Sequence, residues 1–133
     1  MTILLGFDFG PRKIGIAVGQ TVTGTASPLV TLQAKQGRPD WDEIGKLVKI
    51  WMPQTLIVGI PYDVDGTEND WTPKVYRFMR QLEGRFRLPV YPINECLTSM
   101  EARGLMGRAA KAHDAVDAVA ASLILETWLH ERH

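Results

Sequence analysis

Residues 3–9 read ILLGFDF, an almost unbroken apolar run close to the start of a chain of 133 residues. Such a run suits a strand buried on both faces, which places it at the centre of a sheet. Gly10-Pro11 ends it as a turn, and IGIAVG at 14–19 supplies a second strand. A third strand centres on Leu29-Val30-Thr31-Leu32, flanked by Gly24 and Pro28. Short links between the three predict an antiparallel meander.

The pattern then changes period. Asp40 and Glu43 stand at capping-box spacing, and Trp41, Ile44, Leu47, Val48 and Trp51 share one helical face up to Pro53. TLIVGI at 55–60 is a buried strand, and the acidic, glycine-containing stretch 62–71 is an exposed loop. A second helix is predicted over 72–85, with Trp71, Val75, Phe78, Met79 and Leu82 inward, followed by a fifth strand at 89–93. Thr98 and Glu101 repeat the capping spacing and open a third helix that gives way near Gly107. The last helix begins at His113 or Asp114, with Val116, Ala120, Leu123, Ile124 and Thr127 facing inward. The order predicts one α/β domain over 1–133 with a mixed five-stranded sheet: a three-stranded meander plus two parallel strands, flanked by helices.

Composition removes several function classes. The 15 Lys and Arg balance 15 Asp and Glu, so this is not a polybasic protein; nucleic-acid binding then depends on where the charge sits. One cysteine, Cys96, permits no internal disulfide and no Cys/His zinc cluster. There is no signal peptide and no apolar run long enough to span a membrane, so the expected location is the cytoplasm.

The chemistry lies where acids interrupt apolar segments. Asp8 sits inside the first strand between Phe7 and Phe9, where an unpaired carboxylate would cost several kcal/mol. It needs a cation or a set of donors, and the amides of the turn at 10–13 are an alternative to a metal. Glu95 follows the last apolar run, and Asp114 and Asp117 lie three apart at the start of the final helix, where acids also serve as caps. Four such acids can converge on hard divalent cations such as Mg²⁺ or Mn²⁺. Paired ions of this kind support phosphodiester cleavage.

In order along the chain, LLGFDFGPRKIGIAVG at 4–19, TGTASPL at 23–29, LIVGIPYDVDGTE at 56–68, NECLTSMEAR at 94–103 and HDAVDAVAASLILETWL at 113–129 make the sequence similar to the YqgF/RuvX family. Its members are described as Holliday junction resolvases and as pre-16S rRNA nucleases of the ribonuclease H-like superfamily. The resemblance implies a ribonuclease H-like fold and an acidic triad of Asp8, Glu95 and Asp117. Asp114 stands where the related resolvase RuvC carries another acid. It further implies a Mg²⁺- or Mn²⁺-dependent nuclease acting on pre-rRNA, or on branched DNA. RuvC-type resolvases work as dimers, but no self-complementary apolar surface is evident in this sequence, so the expected state is a monomer or weak homodimer. The chain departs from the family at Asn94-Glu95-Cys96, where relatives often read Asp-Glu-Arg, and in a short stretch between Gly107 and His113. A non-catalytic ribosome-assembly factor on the same fold is the competing reading.

Arg12 and Lys13 follow the first acid in a turn, and Arg103, Arg108 and Lys111 cluster before the last helix. These five are the phosphate-binding candidates. Lys74, Arg77 and Arg80 recur opposite the apolar face of the second helix and read as a solvated face. The four tryptophans, Trp41, Trp51, Trp71 and Trp128, read as core packing, and Cys96 as a small buried residue.

Overall fold

A computed structural model of the chain describes residues 2–61, 69–94 and 113–131, with the side chains of 113–116 outside that description. The five strands are β1 (Ile3–Phe9), β2 (Lys13–Gln20), β3 (Thr25–Gln33), β4 (Thr55–Ile60) and β5 (Val90–Asn94). They form one sheet in the order β3-β2-β1-β4-β5. β1 runs antiparallel to β2 and parallel to β4; β2 and β3 are antiparallel, and β4 and β5 parallel. The mixed sheet is therefore the one the sequence predicts, with the apolar first run at its centre. Pro28 and Pro92 fall in the outer strands β3 and β5, where a missing amide donor is tolerated. The pairing of β2 with β3 shifts between Ile16 and Ala17, and Leu29 and Val30 both pack towards the same core as a result.

Helices α1 (Trp41–Trp51) and α2 (Thr72–Phe86) cover one face. Asp40 caps α1 by accepting the Glu43 amide at 3.2 Å, as its spacing predicts. α1 ends at Met52, which takes a left-handed conformation (φ 49°) immediately before Pro53. The N-terminus of α2 is capped from outside the helix: Asn69 Oδ1 accepts from the amides of Trp71 and Thr72 at 2.9 and 3.1 Å. Asn69 Nδ2 and the buried Thr72 hydroxyl both donate to the Pro61 carbonyl, at 3.1 and 2.6 Å, clasping the end of β4 to the start of α2. The core of this face is aromatic. Phe78 stacks on Phe9 with centroids 4.3 Å apart and meets Phe7 edge-on at 5.7 Å, and Trp71 stacks on the other partner, Phe9, at 5.1 Å. Such pairs add about 0.5–1.5 kcal/mol each beyond the burial of their area.

The opposite face is built from small residues. Helix α3 (His113–Glu131) lies across β1, β2 and β3 and buries Ala118, Ala121, Ile124, Leu125 and Leu129. The strands meet it with Gly6, Gly15, Ala17 and Gly19. A Cβ on Gly15 would overlap the Asp117 carbonyl and stand 2.9 Å from the Ala118 amide nitrogen. A Cβ on Gly6 would stand 3.0 Å from the Leu125 Cβ and 3.1 Å from the Ala121 carbonyl oxygen. The helix backbone thus rests directly on the sheet.

Two expectations about side chains need correction. Ala120 and Ile124 are buried on α3 as predicted, but Leu123 and Thr127 are only half-buried, and Ala121 and Leu125 occupy the centre of the contact. Trp51 is not core: it is 36% exposed at the last turn of α1, beside the exposed Ile50 and Met52. The expected helix near 98–107 and most of the loop at 62–71 lie outside the described residues. No helix of the described residues is long and apolar enough to cross a membrane.

Two substitutions test this layering. Gly15→Ala should destabilise the protein by about 1–3 kcal/mol through overpacking. Gly84→Ala, on an α2 site where a Cβ meets nothing within 4 Å, should stabilise it by about 0.5–1 kcal/mol. Urea unfolding distinguishes the two signs. Phe78→Ala, at the centre of the aromatic stack, should cost about 3–5 kcal/mol in the same assay.

Candidate active site

Asp8 lies one residue from the end of β1, half-buried, on the face covered by α3. Alternation in the strand puts Phe7 and Phe9 into the aromatic core and Asp8 on the opposite side. Its cross-strand partner is Gly15, so the two Cα atoms stand roughly 4.5–5.5 Å apart. Gly15 is also the residue whose Cα faces the backbone of Asp117. One glycine therefore joins the strand that carries Asp8 to the helix turn that carries Asp117. Asp117 is half-buried, and both acids are engaged in polar contacts.

The turn after Asp8 is closed by the backbone itself: the Gly10 N–H donates to the Lys13 carbonyl at 2.9 Å. That amide is thus unavailable to the Asp8 carboxylate. Arg12 is exposed at the tip of this turn, and Lys13 is half-buried at the first position of β2. β5 brings the chain to Asn94 at the same end of the sheet, in register with Ile60 of β4. Glu95 is the next residue in the sequence and lies outside the described residues, as do Cys96, Arg103, Arg108 and Lys111. Asp114 belongs to the first turn of α3, its side chain outside the description. The structure thus brings Asp8 and Asp117 to one backbone contact and describes Arg12 and Lys13 on the adjoining turn, while the side chains of the other candidates lie outside the described residues. Among the described residues, no group of three or more His, Cys, Asp or Glu forms a metal site. The two acids present are hard oxygen donors, the chemistry that Mg²⁺ and Mn²⁺ prefer.

Gly15 escapes a search for chemical groups because it has none. Its signal is the alternation Gly15, Ala17, Gly19 along β2, a strand face reduced to small residues so that a helix can approach. The parallel strands add a second positional cue. From β1 the chain turns to β2 on one side, whereas from β4 it passes through α2 to β5 on the other. The crevice at the carboxyl ends of β1 and β4 is thus the point where the connections diverge, the usual place for sites in open α/β sheets.

Comparison with known proteins bears on the fold and the family. The solved structure of Thermus thermophilus RuvC in complex with a Holliday junction substrate superposes with a TM-score of 0.60 at 16% identity, covering 99% of this chain and 96% of that one. The fowlpox virus resolvase in complex with Holliday junction DNA gives 0.57 at 10% identity, covering 98% of each chain. These likenesses establish the RuvC-like, ribonuclease H-type fold. In sequence, an Azotobacter vinelandii protein named "Putative pre-16S rRNA nuclease" is 47% identical over 134 residues, covering 98% of this chain and 94% of its own. One of the same name from Saccharophagus degradans is 48% identical over 129 residues, covering 94% and 91%. The RuvX family model, described as Holliday junction resolvase, matches residues 2–131. With a match over nearly its whole length and relatives close to half identical, the chain belongs to the RuvX family.

Proposed function

We propose that this chain is a divalent-metal-dependent nuclease that hydrolyses phosphodiester bonds in structured RNA, with the 5′ end of pre-16S rRNA as its substrate. The observation that carries the reading is the seating of Asp8 and Asp117 on either side of Gly15, in a family whose close relatives bear the nuclease name. Asp8, Glu95 and Asp117 would hold Mg²⁺ or Mn²⁺, with Asp114 as a fourth carboxylate. A bound ion of this kind supplies Lewis-acid stabilisation of the charge that builds on the phosphate oxygens.

The remaining residues position the substrate. Lys13 and Arg12, within five positions of Asp8, offset the negative charge of the phosphodiester as it meets the acids. Arg103, Arg108 and Lys111 are assigned to the flanking phosphates. The small-residue seat of α3 holds the two acids at fixed separation, so that little reorganisation is needed when substrate arrives. Branched DNA is the second reading, favoured by the description of the matching family model.

Cleavage of a pre-16S rRNA fragment and of a four-way DNA junction, each with Mg²⁺ or Mn²⁺, tests the proposal. Wild type should cut the RNA, and Asp8→Ala should fall to the no-protein background while its unfolding free energy stays within about 1 kcal/mol of wild type. Equal cleavage by the two proteins would overturn the assignment of Asp8. Metal binding with no product from either substrate would favour a non-catalytic assembly factor.

A further inference from the structure

On the other face of β1, behind Asp8, the described residues enclose a cleft of about 950 Å³. Its floor is aromatic, made of Phe9, Trp41 and Trp71. Its rim carries Arg12, Arg38, Lys74 and Arg77, all exposed, and no carboxylate lines it among the described residues. In a chain with zero formal net charge that segregation is not a consequence of composition. Asp40, which neighbours the rim in sequence, is turned into its own helix cap on the Glu43 amide.

The two walls are fixed before anything binds. One is α2, where Lys74, Arg77 and Gln81 recur on one side at spacings of three and four. The other is the turn from Gln36 to Pro39. Lys35 and Arg38 pair through their backbones at 3.2 and 2.9 Å, and the segment is tied to the β1–β2 turn by Ala34 N–H to the Arg12 carbonyl (2.7 Å) and Gly37 N–H to the Pro11 carbonyl (3.0 Å). Gln36 is held at φ 53°, a left-handed conformation that costs a residue with a side chain about 1 kcal/mol or more. Trp71 is pinned by donating its indole N–H to the Phe9 carbonyl at 2.8 Å, with the Lys74 ammonium 5.2 Å from its ring centroid.

We infer that this cleft binds a single-stranded segment of nucleic acid that continues from the strand cut at Asp8. A row of cations over aromatic rings suits a flexible polyanion with exposed bases. A duplex keeps its bases stacked inside and presents only backbone to such a groove. The continuity with the cut strand rests on the nuclease reading above; occupancy of the cleft by a single strand does not. Arg12, at the tip of the turn that follows Asp8, is the residue shared by cleft and site.

The test is fluorescence anisotropy without added metal, so that cleavage plays no part. The probes are a duplex RNA with a single-stranded tail, the same duplex with blunt ends, and AMP as competitor. Arg38→Ala/Lys74→Ala/Arg77→Ala should bind the tailed RNA about tenfold or more weaker than wild type, and its slope of log K against log salt should be shallower by about 2, near 0.7 per lost contact. Affinity for the blunt duplex should stay the same, and Arg38→Lys/Arg77→Lys should retain the wild-type slope. An unchanged affinity and slope in the triple variant would overturn the inference. So would equal losses on tailed and blunt RNA, or AMP displacing the tail at matching concentration, which would make the cleft a nucleotide pocket. A protein that never cleaves RNA but gives the expected binding pattern would sink the nuclease reading and leave the single-strand site standing.

Discussion

The site end of this sheet hangs on one contact, the backbone of Gly15 against the backbone of α3 at Asp117. It fixes the height of the helix above the sheet, and with it the position of one acid relative to another on a neighbouring strand. The contact has no hydrogen-bonding or charged side chain in it. It works because nothing projects from β2 at that point, and Gly6 and Gly19 extend the same bare surface along the helix. Close packing of this kind is stiff: a helix resting on peptide planes has no soft side chains through which to settle.

The two faces of the sheet divide the labour. The α1/α2 face supplies bulk, with Phe7, Phe9 and Phe78 interlocked and Trp41 and Trp71 at the margin. The α3 face supplies registration through glycine and alanine. β1 takes part in both, and its alternation sends an acid to the thin side and aromatic rings to the thick side. The residue that leads into chemistry and the residue that floors the basic cleft are therefore chain neighbours, Asp8 and Phe9, facing opposite ways.

Much of this was legible in the sequence, for identifiable reasons. β1 and β4 coincide with their apolar runs because buried strands tolerate few polar residues, and Asp40 was readable as a cap because its function is local. The inward face of α3 was not. The helix is apolar nearly all the way round, so periodicity does not select a side, and the choice of Ala121 and Leu125 is made by the bare strip of sheet opposite. Trp51 misled because an apolar stripe says nothing about whether the helix has run past its neighbours. At the site, Asp8 was visible as an acid where an acid is costly. Its nearness to Asp117 was implied only by the family resemblance and not by spacing, since it depends on a glycine and a strand register. Arg38 was invisible for a similar reason: it reaches the cleft through a left-handed turn at Gln36 that no period announces.

The clasp at the end of β4 has a consequence for how a fold like this can vary. Pro61 on one side and Asn69 and Thr72 on the other are joined by hydrogen bonds, so the end of β4 and the start of α2 are held to each other directly and not only through the chain between them. Where two anchor points are held together in this way, doubling the length of a connecting loop costs only about 0.6 kcal/mol. β4 and α2 therefore keep their places without depending on the length of the interval between them. The clasp thus separates how the two elements are seated from how many residues connect them, a place where a lineage can change length without renegotiating how it folds.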